Sequence, residues 1–192
     1  KTLAVSLLIS NLLLGCAPKV KEGYDEKEGY SGNISISGAF ALYPIVVLWA
    51  EDFKKENPNV RFNISAGGAG KGIADVLTNM VDIGLVSRDL HPIELEKGAF
   101  PIYVAKDAVL GTYNTNNPNA ALLQKRGLTQ KELAGIFVDN KYKNWKDIDP
   151  RFTNDPISVY VRSDAAGAAE TWAKYFNQRQ EDLQGVGIFG DP

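Results

Sequence analysis

Ser65-Ala66-Gly67-Gly68-Ala69-Gly70-Lys71-Gly72 joins two segments whose hydrophobic periods differ. Before it, Val60, Phe62 and Ile64 alternate as in a strand; after it, Ile73, Val76, Leu77 and Met80 recur at helical spacing. A strand passing through glycines into a helix is the repeating joint of an α/β fold. Glycines at such a joint leave backbone N–H groups uncovered at a helix N-terminus, where the helix dipole favours an anion. The same glycines also suit a tight turn that needs positive φ, and both readings stand at this point.

Nucleotide chemistry fits poorly. A Walker A loop places a glycine where Ser65 stands and a hydroxyl residue after the lysine, where this chain has Gly72. The dinucleotide fingerprint lacks its acidic residue at the end of a second strand. No catalytic residue is assigned, and the protein is not expected to be an enzyme.

Working outward, Ile34 and Ile36 mark a short strand running into Gly38. Ile45, Val46, Leu48, Trp49 and Phe53 predict a helix from Leu42 to Glu56, closed by Asn57-Pro58. Val81 to Val86 reads as a third strand. The alternation predicts a parallel sheet covered by helices. Pro101 to Tyr113 reads as a strand pair or one long strand, and the asparagine-rich run to Pro118 as a crossover. Thr129 and Glu132 form a capping box for a short helix. Ile157, Val159 and Val161 predict a strand reaching Arg162, followed by a helix over Gly167 to Gln180. Trp49, Trp145 and Trp172 read as core or lobe-packing residues, and His91, before Pro92, as a loop residue. This gives a first α/β lobe over 33–113 and a second over 114–192, which is expected to be incomplete because no closing element follows.

The N-terminal segment reads differently. Lys1 and an apolar run to Leu14 are too short to span a bilayer but suit a signal peptide over 1–15. Leu13-Leu14-Gly15-Cys16 resembles a bacterial lipobox, which predicts lipid on Cys16. That cysteine is the only one in the chain, so no disulfide framework or thiolate metal site is available. Residues 16–32 carry many charges and little apolar content, as a solvated tether would. The net charge is −2 with both signs interspersed, so nothing points to nucleic acid.

Three further segments place polar groups at strand ends, where α/β folds bind ligands. They are Gly38-Ala39-Phe40-Ala41-Leu42, Asp82 to Ser87-Arg88, and Arg162-Ser163-Asp164-Ala165-Ala166-Gly167-Ala168. Asp164 is placed to orient Arg162 or to cap the following helix. Arg88 with Asp89 also reads as a surface ion pair, and Asp82 as a solvent-facing acid.

These segments, with Leu128 to Phe137 and Trp145, resemble the phosphate-binding proteins of bacterial ABC importers, within the type II periplasmic binding protein fold. The resemblance runs from about Asn33 to the last residue. It implies two α/β lobes, mostly parallel sheets flanked by helices, closing over phosphate or a similar oxyanion that is passed to ABC permease subunits. It makes Asp82 the acceptor for a protonated phosphate oxygen and Arg162 the charge partner, with Asp164 behind it. Backbone donors would come from Phe40, Ala41, Ala69, Gly70 and Gly167, with Ser87 and Arg88 nearby. The family pattern has hydroxyl residues where this chain has Ala39, Phe40, Ala69, Ala166 and Ala168. No cofactor or metal is implied. The protein is expected to be a monomer on the outer face of a bacterial membrane or in the periplasm, touching the membrane only through its lipid anchor.

Overall fold

The structure is a computed structural model that describes residues 23–27 and 29–190. The expected signal peptide and Cys16 lie outside the described residues. Strand β1 (Gly23–Asp25) turns back antiparallel onto the start of β2 (Gly29–Gly38). Helix α1 (Tyr43–Glu56) then leads to β3 (Asn59–Ala66), and α2 (Ala69–Leu77) to β4 (Ile83–Leu85).

Both β3 and β4 run parallel to β2, on its opposite edges. The register brings the three carboxyl ends to one level: Gly38 stands opposite both Ala66 and Leu85. Every loop leaving that level therefore starts from the same edge of the sheet, the usual place for a ligand in an open α/β fold. Ile36, Ala39, Val46, Ala69 and Leu85 form the buried core beneath these loops, with Ile34, Leu42, Phe62 and Ile64 packed on it. Helix α1 settles on the sheet through Val46 and Ala50, and Phe53 meets Phe62 edge-on at 6.0 Å.

After the short α3 (Pro92–Glu96) the chain reaches a second group: α4 (Ala120–Arg126), α5 (Gln130–Phe137), β5 (Tyr160–Arg162), α6 (Gly167–Tyr175) and β6 (Val186–Ile188). Strands β5 and β6 are parallel, with Arg162 opposite Ile188. The Thr129–Glu132 capping box forms as the spacing predicts: the Thr129 N–H donates to Glu132 Oε2 at 2.8 Å. Glu132 also receives Arg126, which holds its carboxyl down at about 2; Arg126 donates in turn to Asp149 at 2.9 Å. This network ties α4, α5 and the loop after α5 together.

Four elements depart from the sequence expectations. Residues 101–113 form no strand; a strand needs a ladder partner, and no described segment pairs with this one. The tether expected over 16–32 is already sheet from Gly23 onward, because β1 and β2 pair as a hairpin. The third strand shrinks to Ile83–Leu85, and the strand expected from Ile157 begins only at Tyr160. Trp49 is 44% exposed and so is not a core residue, whereas Trp172 sits among Phe137, Tyr175 and Phe176.

Candidate binding site at the strand ends

Four loops meet at the carboxyl ends of β2, β3, β4 and β5. The glycine loop touches the Arg162 loop directly: the Gly70 N–H donates to the Ala165 carbonyl at 3.2 Å. A Cβ on Gly68 would stand 2.7 Å from that carbonyl oxygen and 3.4 Å from Asp164 Oδ2. Glycine at 68 is thus required twice, for its φ of +91° and for this close approach. The β4 loop meets the start of α6, where a Cβ on Gly167 would lie 2.5 Å from Ser87 Oγ. The β2 loop joins through Phe40, whose ring faces the Arg162 guanidinium at 5.2 Å.

Arg162 is held on two sides. Its Nε donates to Asp164 Oδ1 at 2.7 Å and its Nη2 to Asp164 Oδ2, while Phe40 covers one face of the guanidinium. Among the described residues, Nη1 makes no hydrogen bond. Asp164 is buried and also accepts from the Gly190 N–H at 3.2 Å. Burial pushes its carboxyl up, but the bonds from Arg162 and the backbone outweigh this and hold it below the usual range. Asp164 does not cap α6 with its side chain.

Backbone donors sort into used and unused. The N–H groups of Gly67, Gly68, Gly70 and Gly72 all go to carbonyls. Gly70, an expected ligand donor, is therefore engaged with Ala165 instead. Among the described residues, the N–H groups of Phe40, Ala41, Ala69 and Gly167 meet no such carbonyl. Ala69 and Gly167 are the first residues of α2 and α6, so two helix N-termini with uncommitted donors face one junction. Ala69 is fully buried, and a buried N–H calls for an acceptor.

Two expected site residues, Asp82 and Arg88, do other work. Asp82 precedes β4 at the amino end of the sheet, where the Ser35 N–H and Oγ each donate to it at 2.7 Å. Four residues, five steps along the chain, separate it from Ser87, a span of up to about 16 Å. The ladder forbids its sharing the site, so its assignment as the oxygen acceptor is withdrawn. Its carboxyl lies below the usual range because of the Ser35 backbone bond, then the Ser35 hydroxyl. Arg88 is buried with both Nη groups on Glu94 at 2.8–2.9 Å, so it has no edge for a ligand. Its pairing with Asp89 is also not formed through the carboxylate, since Nη1 donates to the Asp89 backbone carbonyl. Lys71 lays its stem over Gly67 and pairs with Asp75 along its own helix. Sequence reasoning missed Glu94 and Glu170, the carboxylates around Arg88; each reads as an ordinary first-turn acid, and only the fold brings them together.

A family described as a PBP superfamily domain matches residues 25–188. The chain belongs to the PBP superfamily. Among curated members similar to it, the phosphate-binding protein PstS of Bacillus subtilis (strain 168) is 32% identical over 161 residues, covering 83% of this chain and 51% of that protein. PstS of Pseudomonas aeruginosa is 27% identical, over 75% of this chain and 48% of its own length. This superfamily chain thus spans about half the length of the curated relatives it matches. Among solved structures, a putative phosphate ABC transporter substrate-binding protein with bound phosphate from Clostridium perfringens is similar at a TM-score of 0.70 and 27% identity, covering 83% of this chain and 62% of that one. An ABC-type phosphate transport receptor from Vibrio cholerae shares the fold at a TM-score of 0.56 and 20% identity, over 82% of this chain and 63% of that one. The α/β architecture is therefore that of the type II periplasmic binding proteins.

Proposed function

We propose that this chain belongs to an extracytoplasmic solute-binding protein that captures inorganic phosphate and hands it to the permease subunits of an ABC importer, without catalysis. The observation that carries this is Arg162, fixed by Asp164 at a junction of two helix N-termini. An arginine edge plus uncommitted N–H groups is a donor set for an oxyanion. The relatives' names supply phosphate as the ligand to test first. The proposal includes a monomer held at the outer face of a bacterial membrane by lipid on Cys16.

A second reading, another oxyanion or a small carboxylate, is favoured by Ala39, Ala69 and Ala166, which are buried at the loops and bring no hydroxyl. Each missing donor costs a bound anion about 1.5–3 kcal/mol where nothing replaces it. Asp82 is at the far end of β4, and Asp164 is engaged by Arg162 and Gly190. Neither supplies an acceptor for a protonated oxygen, so discrimination between phosphate and sulfate is expected to be weak.

Calorimetry and thermal shift with phosphate, sulfate and acetate test both readings. Phosphate is expected to bind at micromolar concentration and stabilise the fold most, with sulfate within about tenfold. A larger shift with acetate selects the second reading, and no response to any anion removes anion capture. In the same assay Asp82→Ala is expected to leave the phosphate affinity unchanged and to lower the melting temperature, since Ser35 loses its partner. A loss of affinity with an unchanged melting temperature would restore Asp82 to the site.

A further inference from the structure

Ser87, Arg88, Asp89 and His91 follow β4, in the first group of elements; Gly167, Glu170 and Lys174 lie on α6, in the second. Every polar contact between these two segments involves a carboxylate. Arg88 Nε lies 2.7 Å from Glu170 Oε2, an ion-pair contact without hydrogen-bond alignment, and His91 Nε2 lies 3.3 Å from the same oxygen. Lys174 Nζ meets Asp89 Oδ2 at 2.6 Å, with both side chains exposed. Arg88 is the buried member, its side chain only 6% exposed, and its other edge is taken by Glu94. Glu94 is itself fixed by the His91 N–H at 2.7 Å.

We propose that Arg88 and Glu170 form a clasp that holds the two halves of the anion site together whether or not an anion is present. This rests on the solute-binding reading, in which the halves open and close. Arg88 is a positioning residue here and touches no ligand. The Arg88–Glu94 pair lies within one half and survives opening, whereas Glu170 belongs to the other half and departs with α6. The clasp therefore acts at the step where Ser87 leaves Gly167. Opening rehydrates Glu170, which offsets part of the lost attraction, so the effect is moderate. The outer Asp89–Lys174 pair is solvated and contributes little.

The test uses spin labels on the full chain with Cys16→Ser, Asp52→Cys on α1 and Lys131→Cys on α5, read by pulsed electron resonance. In Glu170→Gln the closed-to-open ratio without ligand is expected to fall about tenfold, and inorganic phosphate to bind up to tenfold more weakly, because affinity scales with the competent fraction. Gly167→Ala wedges the seam sterically, its Cβ 2.5 Å from Ser87 Oγ and 2.6 Å from the Ser87 carbonyl oxygen, and is expected to give the same open distances. Adding Glu170→Gln to it is expected to change little further. Asp89→Asn is expected to leave the distances as they are.

An unchanged distance distribution in folded Glu170→Gln, with Gly167→Ala shifted, overturns the clasp. So does an equal shift in Asp89→Asn. If Glu170→Gln does not fold, Glu170→Asp, one methylene shorter, is judged by the same criterion. Opening in Glu170→Gln with no phosphate binding in any form supports the clasp and removes the phosphate reading.

Discussion

Arg162→Ala is expected to weaken phosphate binding by about tenfold to a hundredfold, and to destabilise the fold as well. The two effects have separate causes. Binding loses the charged edge that faces the loops, a charge-assisted contact worth about 1.5–3 kcal/mol, and tenfold in affinity follows each 1.4 kcal/mol. Stability suffers because Asp164, only 4% exposed in its side chain, keeps only backbone N–H partners, its own and that of Gly190. Removing one partner of a buried pair costs about 3–5 kcal/mol. The carboxyl is then free to follow its burial, which pushes it up, so the variant's remaining stability should improve as pH falls toward the usual carboxylate range. The sign is opposite in the parent: a carboxyl held low contributes stability above its unfolded value and loses it on acidification. Arg162→Ala/Asp164→Ala is expected to recover part of the stability and none of the binding. Chemical denaturation and calorimetry on the three proteins check this, and full binding by the double variant would remove Arg162 from the site.

The site was legible in the sequence to the extent that its chemistry is local. The glycine loop, the Arg162–Asp164 pair two residues apart and the starts of α2 and α6 all rest on neighbours along the chain, and the structure shows each of them. Asp82 was misplaced because motif and register are different information. It stands in the segment that reaches the site, but the parallel ladder puts Asp82 beside Ser35 and only the other end, Ser87, beside Gly167. Arg88 carried an obvious charge whose partners, Glu94 and Glu170, lie 6 and 82 positions on. No periodicity encodes such a meeting. Residues 101–113 have strand composition, yet a strand is a relation between segments, and none of those described pairs with them.

What the glycines encode most firmly is the crossing beneath the site. Gly38→Ala is expected to destabilise the fold by about 4 kcal/mol or more, among the largest effects of a single methyl. Its Cβ would stand 2.2 Å from the Leu85 carbonyl oxygen and 2.8 Å from Gly72 Cα, and its φ is +135°. All three close neighbours are backbone, so no side-chain rotation relieves the clash. The same Leu85 oxygen accepts from the Ala39 N–H at 2.8 Å, and the Gly38 carbonyl accepts from Gly67 and Gly68. Displacing Gly38 therefore disturbs the β2–β4 edge, the α2 contact and the glycine loop together. Two comparisons separate the causes. Gly98→Ala meets nothing within 4 Å at a φ of +98°, so it reports backbone strain alone, about 1–2 kcal/mol. Gly72→Ala has no positive φ but a Cβ 2.4 Å from Leu85 O, so it reports the steric cost less the ~1 kcal/mol that alanine gains over glycine inside α2. Urea midpoints at constant slope give the three values. Gly38→Ala should exceed either of the others. If it matches Gly98→Ala, the crossing of β2, α2 and β4 is looser than the distances require, and the placing of the α2 N-terminus must come from the core residues Ile36, Ala69 and Leu85 instead.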